Sequence, residues 1–217
     1  MPTIVIASPK GGSGKSTTAV ILGTEFAYMG IPVTLLDCDP NHSLSLWSSR
    51  GKVPENITVK SDVTESEIVR VIKEKDKDGE IIIVDLEGVA SRMVSRAISQ
   101  ADLVLTPMRA TTLDATIGGR AIALVYEEEE ALNRKIKQAV VFTMTRAIQS
   151  KQHTGIEKSL RGQGVDIIYP PLMERAAFSA LFEFGGNLRT LPPQGNMESA
   201  INNAELFAKS IFKILTQ

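Results

Sequence analysis

The stretch Ser8–Thr17, SPKGGSGKST, decides the fold expected for this chain. It follows the apolar run IVIA at residues 4–7 and nearly matches the phosphate-loop pattern G-x-x-x-x-G-K-[ST]. Pro9 stands where the first glycine of that pattern belongs, and an additional lysine, Lys10, comes directly after it. A glycine-rich loop between a buried strand and a helix predicts an anion site, because backbone N–H groups and the positive helix end face inward.

Phosphate is the anion that such a loop favours, and each residue type in it has a physical reason to be there. Glycines allow close backbone approach, Lys15 supplies a positive charge to the outer phosphates, and the Ser16 hydroxyl is placed to bind Mg²⁺. Thr17 is expected to hydrogen-bond the α-phosphate. The residues expected to contact the nucleotide through this loop are Gly11, Gly12, Ser13, Gly14, Lys15, Ser16 and Thr17.

Composition predicts one globular domain over residues 1–217, since 43% hydrophobic residues are enough for a sizeable core. The 24 basic and 25 acidic residues nearly balance, so any binding of nucleic acid or anionic lipid has to come from a local patch. Cys38 is the single cysteine and can form no internal disulfide. With no signal segment and no membrane-length apolar run, the sequence indicates a cytoplasmic protein.

Short apolar runs recur along the chain with enough residues between them for a helix, a rhythm typical of βα units in a parallel sheet. Runs such as IVIA and IIIV are apolar at consecutive positions and do not alternate, as expected for strands covered by helices on both faces. The first helix is expected from near Ser16 to Gly30. We therefore predict an α/β fold, a parallel twisted sheet flanked by helices, with strands at Thr3–Ala7, Val33–Asp37, Ile81–Asp85, Leu103–Thr106, Ala139–Thr143 and Val165–Ile168.

Three aspartates follow or end predicted strands, where ligands bind in open parallel sheets. Asp37 and Asp39 belong to the run LLDCDP, and Asp85 ends IIIVD. A carboxylate at that edge can hold Mg²⁺ or orient an attacking water. A lone strand-ending aspartate is often only a cap, but Asp37 and Asp39, two within three residues beside a phosphate loop, are harder to dismiss. We expect Asp37 and Asp85 to bind the metal together with Ser16.

The pattern K-G-G-x-G-K-[ST] resembles the deviant Walker-A ATPases, the SIMIBI type of P-loop NTPase that includes ParA, MinD, Soj, the nitrogenase iron protein and the arsenite-pump ATPase. The resemblance implies ATP or ADP with Mg²⁺ as cofactors and a homodimer that sandwiches two ATP molecules. It also implies that Lys10 reaches the partner's phosphates, that Lys15 serves the chain's own nucleotide, that Asp39 orients the hydrolytic water and that Asp85 is the Walker-B carboxylate.

Further features favour the ParA-type partition ATPases within that family. A nitrogenase-type protein needs paired cysteines, and this chain has one. Because the loop begins near residue 10, we expect the short form without an N-terminal operator-binding domain. The implied partners are a centromere-binding adaptor of the ParB type and nonspecific DNA, with association to the nucleoid in the ATP state.

Two alternatives remain open. The run DLEG at residues 85–88, in place of the usual Asp-x-Pro-Pro, and the stretch MRATTLDA suggest the subgroup with VirC1-type proteins of T-DNA transfer, which would recruit transfer machinery. A MinD-like membrane-cycling ATPase would end in a lipid-binding helix. The terminal stretch NNAELFAKSIFKILTQ has helical spacing but few basic residues on its polar side, so we predict a helix packed on the core and no stable membrane association.

The second half of the chain supplies the remaining expectations. By the family resemblance, Thr143 lies at the nucleotide, and Pro170 and Pro171 either pack the adenine ring or form a turn that ends a strand. Between Arg134 and Arg175 there are eight basic residues and three acidic ones. This excess predicts a salt-sensitive DNA surface or, equally, ordinary solvated helix faces. The candidate DNA-binding residues are Arg134, Lys135, Lys137, Arg146, Lys151, Lys158, Arg161, Arg175, Arg189, Lys209 and Lys213.

Overall fold

A computed structural model describes residues 2–77, 79–88 and 91–217 of the chain. Seven strands form one sheet, in which every paired neighbour runs parallel. Their order across the sheet is β3-β2-β4-β1-β5-β6-β7, so the first strand lies in the middle. The strands are β1 Thr3–Ile6, β2 Val33–Cys38, β3 Ile57–Lys60, β4 Ile81–Leu86, β5 Leu103–Met108, β6 Lys137–Phe142 and β7 Asp166–Ile167.

Helices connect these strands and cover both faces of the sheet, which confirms the predicted α/β class. Alternate residues of β1 show why both faces are apolar: Ile4 and Ile6 pack in one core cluster, and Val5 packs in another. The helices are α1 Lys15–Tyr28, α2 Ser43–Arg50, α3 Ile68–Lys77, α4 Arg92–Ile98, α5 Thr112–Leu132, α6 Lys151–Gly162, α7 Ala176–Phe184 and α8 Met197–Leu215.

The first helix begins and ends where its flanking glycines predict. Gly14 caps its start with φ 94°, and Gly30 follows its end with φ 81°. Both values lie in the left-handed region, which glycine adopts without strain. The turn before α1 therefore depends on Gly14, and Pro32 follows Gly30 just before the next strand begins.

The edge strand β3 is absent from the sequence-based prediction. Its four residues, ITVK, alternate between buried and more exposed positions, so they lack the continuous apolar run of the central strands. The other strands were predicted at the right places, with ends that differ by one or two residues. Short edge strands are covered on fewer sides, which weakens the sequence signal for them.

The terminal helix α8 packs on the core, as its spacing predicted. Ala204, Ala208 and Ile211 are fully buried there, and the Phe212 ring contacts that of Phe26 on α1 at a centroid distance of 6.2 Å. On the outer side Lys209 pairs with Glu205 at 2.6 Å. In the described part of the chain, no helix combines the length and apolar character needed to cross a membrane.

Candidate functional site

The loop at residues 8–14 joins β1 to α1 at the centre of the sheet, where β1 lies between β4 and β5. Ligands of open α/β sheets bind beyond the carboxyl ends of the strands, and this loop stands at such a point. The side chain of Lys15 is buried at 6% exposure, whereas Gly11 and Gly12 are exposed. The loop therefore offers backbone N–H groups to solvent next to a buried positive charge.

Thr143, just after β6, stabilises the phosphate loop through a hydrogen bond. Its hydroxyl donates to the Ser13 carbonyl at 2.7 Å. A side chain at Gly14 would meet the Thr143 methyl group at 3.2 Å, so only glycine fits this contact without displacing it. Thr143 thus lies beside the predicted nucleotide site and contacts the loop that forms it.

Gly88 of the DLEG run packs against the same loop. A side chain at this position would come within 3.3 Å of the Gly11 nitrogen and 3.5 Å of the Lys15 ammonium. A larger residue at this position would therefore need a small shift of the loop backbone or of the Lys15 side chain. Gly88, two residues after the end of β4, thus lies next to the phosphate loop.

Asp85 and Asp37 are neighbours across β4 and β2, where they form one register pair. Asp85 is fully buried, and burial raises its pKa to about 7, although the Ser16 hydroxyl and the Lys15 charge act to lower it. The charges of Asp37 and Asp39 contribute smaller increases to the same pKa. Among the described residues, neither carboxylate oxygen of Asp85 has a hydrogen-bond partner of good geometry, Ser16 included.

Asp37 is bound on one side only. Its Oδ2 accepts hydrogen bonds from the backbone N–H and the hydroxyl of Ser45, both at 2.8 Å, while Oδ1 has no partner within the described part of the chain. Asp39 is also buried, and its Oδ1 accepts from the N–H and the amide of Asn41 at 2.9 and 2.8 Å. Asp39 is thereby oriented by its own turn, next to the other two carboxylates.

A cation fits these groups, since buried carboxylate oxygens without partners are costly unless something binds them. No group of three or more His, Cys, Asp and Glu side chains in the described ranges is arranged to hold a metal by itself. A Mg²⁺ site usually draws one or two protein ligands together with water and substrate phosphates, and the unpartnered oxygens of Asp37 and Asp85 could supply such ligands. The nearby Cys38 thiol has a pKa raised to about 12 by burial and by Asp37 and Asp85, so it is not a reactive nucleophile.

Lys10 points to the first turn of α5. Its ammonium lies 2.5 Å from Oδ1 of Asp114, which is 4% exposed. Thr111 caps α5: its hydroxyl donates to Asp114 Oδ2 at 2.6 Å and accepts from the Asp114 N–H at 3.1 Å. Burial alone would raise the pKa of Asp114, but the hydrogen bonds from Lys10 and Thr111 outweigh it and hold that pKa below its usual value.

A pocket of about 110 Å³ opens next to Gly14 and Thr17, on the α1 side of the loop. It is in position for the base or sugar of a nucleotide whose phosphates occupy the loop. Pro170 and Pro171 come just before the segment that forms one of its walls and do not line it. The remaining lining residues are Thr143, Met144, Leu172, Met173, Glu174, Arg175, Phe178 and Ser179.

Asn203 of α8 holds that wall in place. Its buried amide accepts from the Met173 N–H at 2.9 Å and donates to the Pro171 carbonyl at 2.9 Å. The two bonds fix the segment between strand β7 and helix α7 from behind. A substitution at Asn203 would therefore act on the pocket without touching its occupant.

Most of the basic residues considered for a DNA surface are engaged within the chain. Lys135, Arg161 and Lys209 pair with glutamates, and Arg189 forms a two-point bond to the buried Glu25. Arg134 and Lys137 donate to backbone carbonyls, and Arg175 lines the pocket. Among the described residues, no side-chain partner is found for Arg146, Lys151, Lys158 and Lys213.

A parallel sheet with a glycine-rich loop after its central strand, a buried loop lysine and strand-ending carboxylates defines a P-loop nucleotide-binding protein. Within that class the chain belongs to the family described as the CobQ/CobB/MinD/ParA nucleotide binding domain, which it matches over residues 4–188. This membership confirms the family predicted from the KGGSGKST run.

Among curated proteins, the chain is 65% identical to Protein ParA of Rhizobium radiobacter over 219 residues, 100% of this chain and 99% of that protein. It is 24% identical to Protein virC1 of Rhizobium radiobacter over 232 residues, 99% of each chain. Among solved structures, apo McdA of Cyanothece superposes with a TM-score of 0.76 at 19% identity, covering 99% of both chains. The chain is thus a ParA-like member of the partition ATPase family, with VirC1 as a distant relative.

Three residues at the site were not found by sequence reasoning: Asp114, Asn203 and Arg109. Arg109 donates to the Gly12 carbonyl at 3.4 Å. For Asp114 a signal was present, since Thr111-Thr112-Leu113-Asp114 is a T-x-x-D capping pattern. It marks the start of a helix, although it does not indicate that Lys10 binds there.

Proposed function

We propose that this chain is a Mg²⁺-dependent ATPase that dimerises around two ATP molecules and binds nonspecific DNA in that state. Hydrolysis, stimulated by a centromere-binding partner of the ParB type, returns it to the monomer and releases the DNA. Such a cycle would serve the partition of a plasmid or another DNA molecule. The 65% identity to a protein named ParA, over the full chain, supports this assignment.

The observation that carries the proposal is the different placement of the two loop lysines. Lys15 is buried beside Asp85, in position to act on the chain's own nucleotide. Lys10 lies on the outer side of the loop with its side chain 33% exposed, in position to be exchanged to a neighbouring protomer. A lysine supplied by a partner would stabilise negative charge that develops on the transferred phosphoryl group.

Ser16 and Asp85 would hold Mg²⁺ together with the nucleotide, and Asp37 would support them through its unpartnered oxygen. Bound Mg²⁺ neutralises charge on the outer phosphates. Asp39 is oriented by Asn41 and is proposed to position the attacking water. Gly88, packed on the loop, would report the presence of the last phosphate to the segment that follows β4.

The proposed DNA contact is narrower than the sequence indicated. Lys151 and Lys158 are seven residues apart on α6, and this spacing places them on one side of the helix. We propose that they bind DNA together with Arg146, which lies five residues before α6, and we call these three residues the basic strip. None of the three has a side-chain partner among the described residues. Backbone contacts by such a strip are independent of base sequence, and two copies in a dimer would double them.

A second candidate is a recruiter that gathers DNA-transfer machinery, supported by the full-length relation to virC1 at 24% identity. The much higher identity to ParA favours partition. Plasmid segregation in a strain carrying Asp39→Ala separates the two, because a recruiter that needs only ATP binding tolerates the loss of hydrolysis. A membrane-cycling role has less support, since the apolar side of α8 is used in the core.

The proposal is tested by light scattering after gel filtration, with a nonhydrolysable ATP analogue and Mg²⁺. The wild type is expected to dimerise with the analogue, and Lys10→Ala is expected to stay monomeric while still binding nucleotide. Lys52→Ala, which removes an exposed lysine elsewhere, is the control. Dimerisation of Lys10→Ala at wild-type strength would refute the sandwich.

A further inference from the structure

Asp114 pairs with one cation, Lys10, and a second cation, Arg109, lies near enough for its charge to act on the same carboxylate. Lys10 binds it directly at 2.5 Å, and Arg109, which follows β5, donates to the Gly12 carbonyl at 3.4 Å. The charges of both Lys10 and Arg109 lower the pKa of Asp114. Asp114, Lys10 and Arg109 therefore form one small charge cluster at the outer side of the phosphate loop.

Movement of Lys10 would leave this cluster unbalanced. Asp114 is 4% exposed. When Lys10 leaves, the hydrogen bond from the Thr111 hydroxyl and the position of Asp114 in the first turn of α5 are what still stabilise its negative charge. A buried carboxylate that loses its counter-ion is strongly destabilised, because solvent cannot replace the lost partner. The proposed transfer of Lys10 to a neighbour's phosphates would thus be opposed unless another cation takes its place.

Arg109 has the properties that such a replacement needs. It is exposed, its bond to Gly12 is long, and it lies five residues before Asp114 on the segment that leads into α5. Guanidinium groups pair well with carboxylates because their donors match the two oxygens. Only the long hydrogen bond to the Gly12 carbonyl has to break for the Arg109 side chain to turn from the loop to Asp114.

We infer that Arg109 is a positioning residue that takes over Asp114 when Lys10 leaves, so that Lys10 is released to the partner protomer's triphosphate. The exchange also frees the Gly12 carbonyl at the moment when the loop meets the second protomer. This inference rests on the proposed function, since it assumes that Lys10 crosses between protomers. It assigns to Arg109 no contact with the nucleotide.

The test measures the dimer dissociation constant by sedimentation velocity with the nonhydrolysable ATP analogue and Mg²⁺. Arg109→Gln is expected to raise this constant by roughly tenfold or more, the scale of one hydrogen bond to a charged group. Nucleotide affinity of the monomer, measured with a fluorescent ATP analogue below the dimerising concentration, should stay within about twofold. Arg109→Lys, which keeps the charge without the matched pair of donors, should restore part of the dimer. Lys52→Gln, at an exposed site away from the loop, is the charge-matched control.

The double variant Arg109→Gln/Asp114→Asn distinguishes an effect of Arg109 through Asp114 from a direct contact of Arg109 with the nucleotide or the partner protomer. A neutral asparagine needs no counter-ion, so the effect of Arg109→Gln should largely vanish in the Asp114→Asn background. An equal loss in both backgrounds, a loss of monomer nucleotide affinity, or no rescue by Arg109→Lys would overturn the inference. If the wild type dimerises and Arg109→Gln dimerises equally well, this inference is refuted and the proposed function is not. If the wild type itself stays monomeric, both the proposed function and this inference are refuted.

Discussion

The Lys10 ammonium lies 2.5 Å from the Asp114 carboxylate, although 104 residues separate the two in sequence. The sheet order brings them together, because β1 pairs with β5 and the loop after one strand meets the helix after the other. In this state the additional lysine of the loop is bound within its own chain. Any contact with a second protomer has to compete with Asp114.

Asp114→Asn is therefore expected to favour the ATP-bound dimer. Asparagine keeps an oxygen for the cap of α5 but loses the charge that holds Lys10. We expect the dimer dissociation constant to fall by roughly tenfold, or about 1.4 kcal/mol, measured by sedimentation with the ATP analogue. Glu157→Gln, which removes the acid of a surface pair with Arg161, should leave it unchanged. A weaker dimer in Asp114→Asn would mean that Asp114 does not restrain Lys10.

Thr143→Val tests the hydrogen bond by which Thr143 stabilises the phosphate loop. The substitution keeps the shape and leaves the Ser13 carbonyl without its 2.7 Å donor. Loss of a buried hydrogen bond should lower the free energy of unfolding by about 1–3 kcal/mol and weaken ATP binding as the loop loosens. Urea unfolding and a fluorescent ATP titration measure the two effects. Thr145→Val is matched in burial, but its bond is 3.4 Å long, and it should change both far less.

Asn203→Ala tests whether the segment at residues 171–173, which Asn203 holds by two hydrogen bonds, forms part of the nucleoside pocket. Two buried bonds, to Met173 and Pro171, are lost, so the free energy of unfolding should fall by about 2 kcal/mol or more. Nucleotide affinity should fall as well, and the loss should be larger for ATP than for inorganic triphosphate, which lacks the base. Asn202→Ala, on the exposed side of α8, is the control. Equal losses for both ligands would place the nucleoside elsewhere.

Asp85 gives the metal-free and nucleotide-free protein a pH-dependent stability. Its folded pKa of about 7 lies above the usual unfolded value near 4, so the folded state holds the additional proton between those values. The free energy of unfolding should therefore fall as the pH rises through that window, by up to about 1.4 kcal/mol per pH unit. Asp85→Asn should flatten this slope in urea titrations with EDTA, while Asp62→Asn at an exposed turn should not. If the free energy of unfolding of Asp85→Asn keeps the wild-type dependence on pH, another titratable group causes that dependence.

The central sheet and the loop could be predicted from sequence because their signals are local. Strands β1 and β4 contain the continuous apolar runs IVI and IIIV, and the KGGSGKST run lies between the first of them and a helix. The strand-ending aspartates then followed from the parallel topology. The edge strand β3 was missed because half of its residues face solvent and leave no such run.

The contacts that complete the site could not be predicted in the same way. Asp114 and Asn203 act on residues 104 and about 30 positions away, and those meetings depend on strand order and on where α8 docks. The charge count also includes basic residues whose charges are bound within the chain. Counting charges does not reveal that Arg189 is bound to Glu25 or that Lys137 donates to the Ile214 carbonyl.

A mixing experiment tests most directly whether Lys10 acts across the dimer. Lys10→Ala cannot donate the lysine but keeps Asp39, and Asp39→Ala keeps Lys10 but loses the proposed water-positioning residue. Each variant alone is expected to have almost no Mg²⁺-dependent ATPase activity. In an equimolar mixture, the Lys10→Ala site receives Lys10 from the Asp39→Ala protomer, and hydrolysis should return to an appreciable fraction of the wild-type rate. If the mixture stays as inactive as its components, although mixed dimers form, Lys10 does not serve the neighbouring nucleotide and the account is wrong.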